Sequence, residues 1–589
     1  MDGMKKAILA QKVLASVLAI GLGGFVLPLA AQANSGLSDE LKDITGNGDF
    51  YYIGTNGAAN NVVIIDSDLD HGVIGGHAEN GDAAKNKVTV SGGTVGNVYG
   101  GYAENGNAVK NTVNISGGTV TNVYGGYSRP YWFNGAYNNS INISGGTVTG
   151  VVVGGYSYSG SVSDNSITLS GTADVSQAEL WGYLAYSAHE GQTDNKLIIN
   201  GWSGEIKLLR NFNGDDGGIE VKALTGGLDL AAGKTTDFVF VENGIHNCNN
   251  LIKAENIQAG VALTVSGEIV DNNGNLAIKA TSVRASDQTA ITTESRAATA
   301  AFVNQGAEVV SDSINSLQGA EAGISTFATV SGNNSKYDTG SYVDINGWNG
   351  IVGVAKTKDL NAGKFSYGAF FENGGGNYNT YNNFNGTSFR GDGNVVYNGG
   401  GLLMRYEQEN GIYTEASLRA GTAKNEVSNA LEFAENIYGF KTENAYYGAH
   451  IGIGKIIKLD NGKAWDIYGK YFHTHHEGDS VKIANDVFDF DSVDSDKLRI
   501  GARFSEKQGE KLTSYYGLAW EYEFSGDAGG TANHYAMYTP SLEGSTMIGE
   551  VGFRYTPGKA SPWYFDANIR GYAGMQEGIS GSVQAVYSF

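Results

Sequence analysis

The sequence predicts an all-β protein in two parts. The N-terminal half is expected to be a parallel β-solenoid (β-helix), and the C-terminal half a twelve-stranded antiparallel transmembrane β-barrel with an α-helix in its lumen. Three observations carry this. A unit of about 25 residues recurs from residue 73 to about 175. Beyond residue 320, segments of about ten residues alternate apolar and polar side chains. The composition is that of a β-protein, with 87 Gly, 34 Tyr and 23 Phe but 5 Pro in 589 residues.

Composition also excludes. The formal net charge is -22 with charged residues at 17%, spread along the chain and not gathered in a tail. Nucleic acid is therefore a poor partner, because binding phosphates needs a basic footprint. The one cysteine, Cys248, permits no internal disulfide and no cysteine-built metal cluster.

Residues 1–33 read as a secretory signal peptide, which makes the Sec translocon the first expected partner. Lys5, Lys6 and Lys12 form a cationic start, an apolar stretch follows, and Ala31 and Ala33 supply the small-x-small cleavage pattern. Cleavage leaves Asn34 as the first mature residue. A permanent anchor is disfavoured, because Gly21, Gly23, Gly24 and Pro28 interrupt the apolar run.

The repeat lies in the expected solenoid region, residues 34–284. VTVSGGTV at 88–95 leads to VYGGY at 98–102, and VNISGGTV at 113–120 leads to VYGGY at 123–127. INISGGTV at 141–148 leads to VVGGY at 152–156, and a degraded copy follows at 167–172. Such rungs place Val90, Val95, Ile115, Val120, Ile143 and Val148 inward and turn at the glycines. No rung buries its apolar face alone, so stability comes from stacking. Asn86, Asn111, Asn139 and Asn165 recur before the first strand, where stacked amides form a ladder. The repeat fades after about residue 175, and the coil is extended to 284 on strand-like runs at 196–199, 237–241 and 261–265.

Residues 294–317 break the β pattern. Ala297, Ala298, Ala300, Ala301 and Ala307 favour a helix. Its 24 residues span about 36 Å against a bilayer core of about 30 Å. Arg296, Glu308 and Asp312 cannot face lipid, so the segment at 285–318 is placed in the barrel lumen, among Arg499, Arg503, Glu521, Glu550, Arg554 and Arg570. Glu415, Arg419, Asp466 and Lys470 are read as a network around it.

The barrel, at 319–589, is expected to have strands starting near 323, 345, 363, 393, 411, 443, 463, 497, 512, 544, 563 and 579. In one of them Trp563, Phe565, Ala567, Ile569, Gly571 and Ala573 share a face opposite Tyr564, Asp566, Asn568, Arg570 and Tyr572. Connections after even strands are short and those after odd strands mostly long, around 374–392, 424–442, 474–496 and 525–543. Short periplasmic turns and long outer loops distinguish an outer-membrane barrel from a soluble sandwich. The last strand ends in Tyr587 and Phe589.

In this order of parts, leader, repetitive passenger, pore helix and barrel, the chain resembles the monomeric autotransporters of diderm bacteria. RAATAAFVNQG at 296–306 and the terminal Tyr587 to Phe589 sharpen the resemblance, which covers 285–589 well and the passenger in architecture only. It implies type V secretion and insertion into outer-membrane lipid by the barrel assembly machinery, which reads Tyr587 and Phe589. It also implies a pore helix carrying Arg296, Ala301, Asn304 and Glu308, and a passenger displayed at the cell surface. Self-cleavage at an Asn occurs in some members. Asn304 and Asn315 stand in the helix here, but the Asn-Asn motif is missing, so release stays open.

Chemistry is weaker. The passenger histidines His71, His77, His189 and His246 have no serine and acid nearby in sequence, and the Gly478–Ser480 match to a protease element falls in the barrel. No catalytic, cofactor-binding or metal residue is assigned. His473, His475 and His476 with Asp486, Asp489, Asp491, Asp494 and Asp496 meet no metal-site template. Arg390-Gly391-Asp392 is expected in an outer loop. The favoured function is surface display of the solenoid for adhesion or self-aggregation, with host surfaces or neighbouring passengers as partners. The alternatives are a secreted protease- or esterase-like passenger, whose cleft would be the insertion at 127–139, and a plugged porin.

Overall fold

A computed structural model of the chain describes residues 36–37, 42–43, 50–54, 57–129, 134–186, 191–315, 317, 321–384, 386–434, 436–558 and 561–589. The signal-peptide residues Ala31, Ala33 and Asn34 lie outside the described residues, as does the 130–133 part of the passenger insertion. Two units are distinguished. The first holds the described residues up to Thr168 with Thr172–Lys196 and Ile206–Gly217, and the second holds Leu169–Gly171, Leu197–Glu205 and Gly218–Phe589.

The first unit is a solenoid of parallel strands. Lys87–Val90 pairs with Val62–Ile65 on one side and with residues 112–115 on the other, and these pair onward with 140–143. Thr94–Ala103 pairs with the Thr112–Ser128 strand through residues 119–128, in register from Thr94↔Thr119 to Ala103↔Ser128. A short third side stacks Ala83–Ala84, Ala108–Val109, Ala136–Tyr137 and Val162–Ser163. Val90, Ile115, Val120, Ile143 and Val148 are fully buried and Val95 is 1% exposed, as the repeat predicts.

The asparagines make the expected ladder, longer by one at each end. Asn61 Nδ2 donates to Asn86 Oδ1 at 2.8 Å, Asn86 to Asn111 at 3.0 Å, Asn111 to Asn139 at 3.0 Å, Asn139 to Asn165 at 2.9 Å and Asn165 to Asn195 at 2.9 Å. This ladder explains the second glycine of each Gly-Gly corner. A Cβ at Gly101 would lie 2.5 Å from the Asn111 amide nitrogen, and one at Gly126 2.4 Å from that of Asn139. Each rung also turns through a left-handed residue just before its asparagine, Lys85 at φ 58 and Lys110 at φ 56 among them. That conformation is uncommon for lysine and is held by the ladder it introduces.

The coil does not run to residue 284. Ala254–Ala259 pairs antiparallel with Leu263–Asn272, which pairs antiparallel with Asn275–Ala285. The Asn and Gly-Gly corners that set the parallel rungs are absent there, and Asn273-Gly274 turns the chain back, both at positive φ.

The twelve barrel strands close on themselves, the first pairing with the last from Ser325↔Ser588 to Tyr337↔Gln576. The predicted faces hold. Leu418, Ile451, Leu518, Ile569 and Val583 are exposed to lipid, and Arg570 and Tyr572 point inward. The parity of the connections takes a different form from the one expected. Gly363–Phe384, Thr387–Gln408, Ile412–Phe433 and Asn436–Lys458 are strands of 22, 22, 22 and 23 residues, so most of the described residues in the stretches read as loops at 374–392 and 424–442 are strand. About ten residues cross a bilayer, and the rest project outside. Alternation weakens in these projections because neither face meets lipid.

Candidate functional site

The helix runs Ala290–Asn315, starting four residues before the sequence-based estimate, and all but two of its residues are buried. Small residues admit it to the lumen. A Cβ at Gly306 would lie 2.2 Å from the Tyr397 hydroxyl, and Phe302, its one large ring, sits over Gly347 and Gly376. Similar ring-over-glycine fits recur along the wall, with Tyr413 over Gly454 and Tyr515 over Gly552.

Charges then fix the helix. At its N-terminal end Arg296 donates to Asn444 Oδ1 at 2.9 Å and to the Glu477 carbonyl at 2.6 Å. Ala301 is 2% exposed. Asn304 Nδ2 donates to Ser495 Oγ at 2.8 Å, and that hydroxyl donates to Glu523 at 2.6 Å. Glu308 lies 2.9 Å from Arg499, and Asp312 lies 2.6 Å from Arg570. Behind them Arg503 and Arg570 share Glu550 at 2.8 and 2.9 Å. Glu415 gathers Lys470 at 2.6 Å, Arg405 at 2.9 Å and His450 at 3.2 Å. Arg419 bonds Glu372 at 3.0 Å and donates to the Val303 carbonyl at 2.9 Å. Arg554 pairs with Asp566 at 3.0 Å. Buried charges need such partners.

Sequence reasoning missed Glu372, Arg405 and His450. His450 lies opposite Ser417, two residues from Arg419 on the inner face, so carrying the alternation across the paired strands would have found it.

The histidine cluster separates into pairs. His473 bonds Asp496 at 2.9 Å and His475 bonds Asp494 at 2.6 Å. His476 is buried on the inner face, and among the described residues no three His, Cys, Asp or Glu converge. Arg390-Gly391-Asp392 is not in a loop: it lies within a strand, with Arg390 opposite Tyr381 and Asp392 between Asn379 and Ser428. His77 bonds Glu104 at 2.9 Å and His246 bonds a backbone carbonyl at 2.9 Å, neither a serine. Ser480 bonds Asp489 at 2.6 Å without a histidine.

The solenoid presents two repetitive faces. On one, the tyrosines of the Tyr-Gly-Gly-Tyr corners form columns. Tyr99 stacks on Tyr124 at 4.7 Å, Tyr102 on Tyr127 at 4.8 Å and Tyr127 on Tyr156 at 4.2 Å. Burial pushes the Tyr99, Tyr102, Tyr124 and Tyr127 phenols above the ordinary tyrosine value, and neighbouring phenols add to the rise for Tyr99, Tyr124 and Tyr127. The other face is polar and nearly uncharged, with Thr112 against Ser140 at 3.1 Å and Asn114 against Asn142 at 2.9 Å.

Fold and lumen together define a class: an outer-membrane barrel plugged by its own helix and carrying a β-solenoid. Residues 326–568 match the family model described as Autotransporter beta-domain. The barrel is an autotransporter β-domain, which places the protein in the outer membrane with its passenger at the cell surface. Solved structures that align with part of the chain include the translocator domain of NalP from Neisseria meningitidis, at 14% identity over 51% of this chain and 99% of that one, TM-score 0.41. The β domain of the Bordetella autotransporter BrkA aligns at 14% identity over 45% and 100%, TM-score 0.36. The transport unit of AIDA-I from Escherichia coli aligns at 13% identity over 46% and 92%, TM-score 0.36. No curated protein matches the chain.

Proposed function

We propose that this autotransporter displays its solenoid to make contacts, as an adhesin or a self-association module, and not as an enzyme. The observation that carries the reading is the in-register repetition of the passenger's outer polar face, Thr112 with Ser140 and Asn114 with Asn142, over a core with no charged member among Val90 to Val148. Repeated shallow sites add through multivalency, so weak single contacts suffice. The partners are host surfaces or neighbouring copies. The barrel assembly machinery engages the last strand at Tyr587 and Phe589, whose rings meet at 4.9 Å on the barrel exterior.

The test compares cells displaying the full chain with cells displaying residues 285–589 behind the same leader. Display of the full chain raises adhesion to a surface or to sister cells. Equal adhesion from both removes the proposed function and leaves the secretion architecture standing.

A further inference from the structure

Between the seventh and eighth barrel strands, Asp479–Ile483 and Asp486–Phe490 form a hairpin. Ala484 and Asn485 at its tip are both left-handed, at φ 47 and 74, the geometry of a type I′ turn. Asp486 opens the return strand and is fully buried. Oδ1 accepts the Gly227 amide at 2.8 Å and Asn533 Nδ2 at 2.7 Å, and Oδ2 accepts the Val261 amide at 2.7 Å and the Ala262 amide at 3.1 Å.

The receiving backbone is shaped for a carboxylate. Successive amides behind a left-handed residue form an anion-binding nest, and Gly260 stands at φ 61 just before Val261 and Ala262. A Cβ at Gly260 would lie 2.0 Å from Asp486 Oδ2, and one at Gly226 2.9 Å from the same carboxylate. Two glycines and three backbone donors thus converge on one oxygen pair supplied from more than 220 residues away, and Asn533 on the barrel side adds the fourth bond. Other ties stand nearby: Gln288 donates to the Val261 carbonyl at 3.0 Å, Tyr535 Oη to the Leu230 carbonyl at 2.9 Å and Gln258 Nε2 to the Glu432 carbonyl at 2.5 Å, but none of them fills the nest.

We propose that Asp486 is a retention latch: its carboxylate fills the nest at 227 and 260–262, fastens the base of the passenger to the barrel hairpin, and keeps that backbone out of reach of external proteases. This sets whether a displayed passenger is kept or shed. It rests on the passenger being outside, which an N-terminal epitope tag reads separately on intact cells.

The experiment uses cells displaying the full chain with Asp486→Asn, Gly260→Ala, both together, and Asp489→Asn on the same hairpin as a control. Proteinase K is added outside, barrel assembly is scored by heat-modifiability, and cleavage within 226–262 is timed. Asp486→Asn and Gly260→Ala each speed that cleavage at least about tenfold, the scale of a lost set of charge-assisted hydrogen bonds. The double variant matches the single ones, because both open one contact. Asp489→Asn behaves as wild type. Unchanged cleavage in Asp486→Asn, an equal effect of Asp489→Asn, or additive single effects would overturn the latch. Loss of the surface tag in Asp486→Asn with an assembled barrel would overturn it too, since that places Asp486 in export.

Discussion

Arg499 joins the helix to the barrel wall through one guanidinium nitrogen, which lies 2.9 Å from Glu308 Oε1 and 2.7 Å from Glu521 Oε2. The helix is therefore a partner of the wall's charges and not a passive filler. Each of the wall cations described above is matched by an acid, some on the wall and two, Glu308 and Asp312, on the helix.

Glu308→Leu leaves Arg499 one acid short in a buried site. Breaking a buried pair costs about 3–5 kcal/mol, and the remaining Glu521 contact holds the loss near the lower end. The midpoint of heat-induced barrel unfolding falls, and single-channel current rises as the plug loosens. A current equal to wild type would show that the pair does not hold the helix.

Asn111 donates to Asn139 and to the Ala83 carbonyl, and accepts from the Asn86 amide and side chain. Asn111→Ala removes these bonds and strands buried groups on both neighbouring rungs. The passenger is destabilised by about 3 kcal/mol, read as earlier unfolding in denaturant of the purified full chain, while the barrel transition stays in place.

The tyrosine columns give the passenger an alkaline limit. An ordinary phenol ionises near 10 in the unfolded chain, and burial raises the folded values above that. Folding thus favours the protonated form, so its contribution is complete below about pH 10 and is lost as pH climbs past that value. Absorbance at about 295 nm should show delayed ionisation of these tyrosines, released together with unfolding of the solenoid. Simple independent titration near pH 10 would contradict the stacked columns.

Phe589 is 77% exposed on the outer surface, so its removal takes little from the barrel's packing. Deleting it is expected to lower the amount of assembled barrel several-fold without lowering the stability of what assembles. Heat-modifiability of outer-membrane fractions measures the first and thermal unfolding the second.

Much of this was legible in the sequence, for physical reasons. Solenoid rungs repeat because each sits in the same surroundings, so Ile115 and Ile143 announce each other. Barrel strands alternate because lipid and lumen impose opposite demands, which is why Arg570 and Ile569 could be assigned to faces. The projecting strands at 374–384 and 424–433 lack that contrast and read as loops. Asp486 was lost among five aspartates because its partners are backbone amides, which every residue carries and no side chain announces.

The most direct test of the contact-surface reading is sedimentation of cells displaying the full chain, the same chain with Ile115→Asp, the chain lacking one complete rung (residues 112–139), and the barrel alone. A charge at the fully buried Ile115 has no partner and opens the stack, so that strain should settle like the barrel alone. Removing a whole rung keeps the register and should lower settling only in part. Settling of the Ile115→Asp strain at the full-chain rate, or no difference between full chain and barrel, would contradict the account.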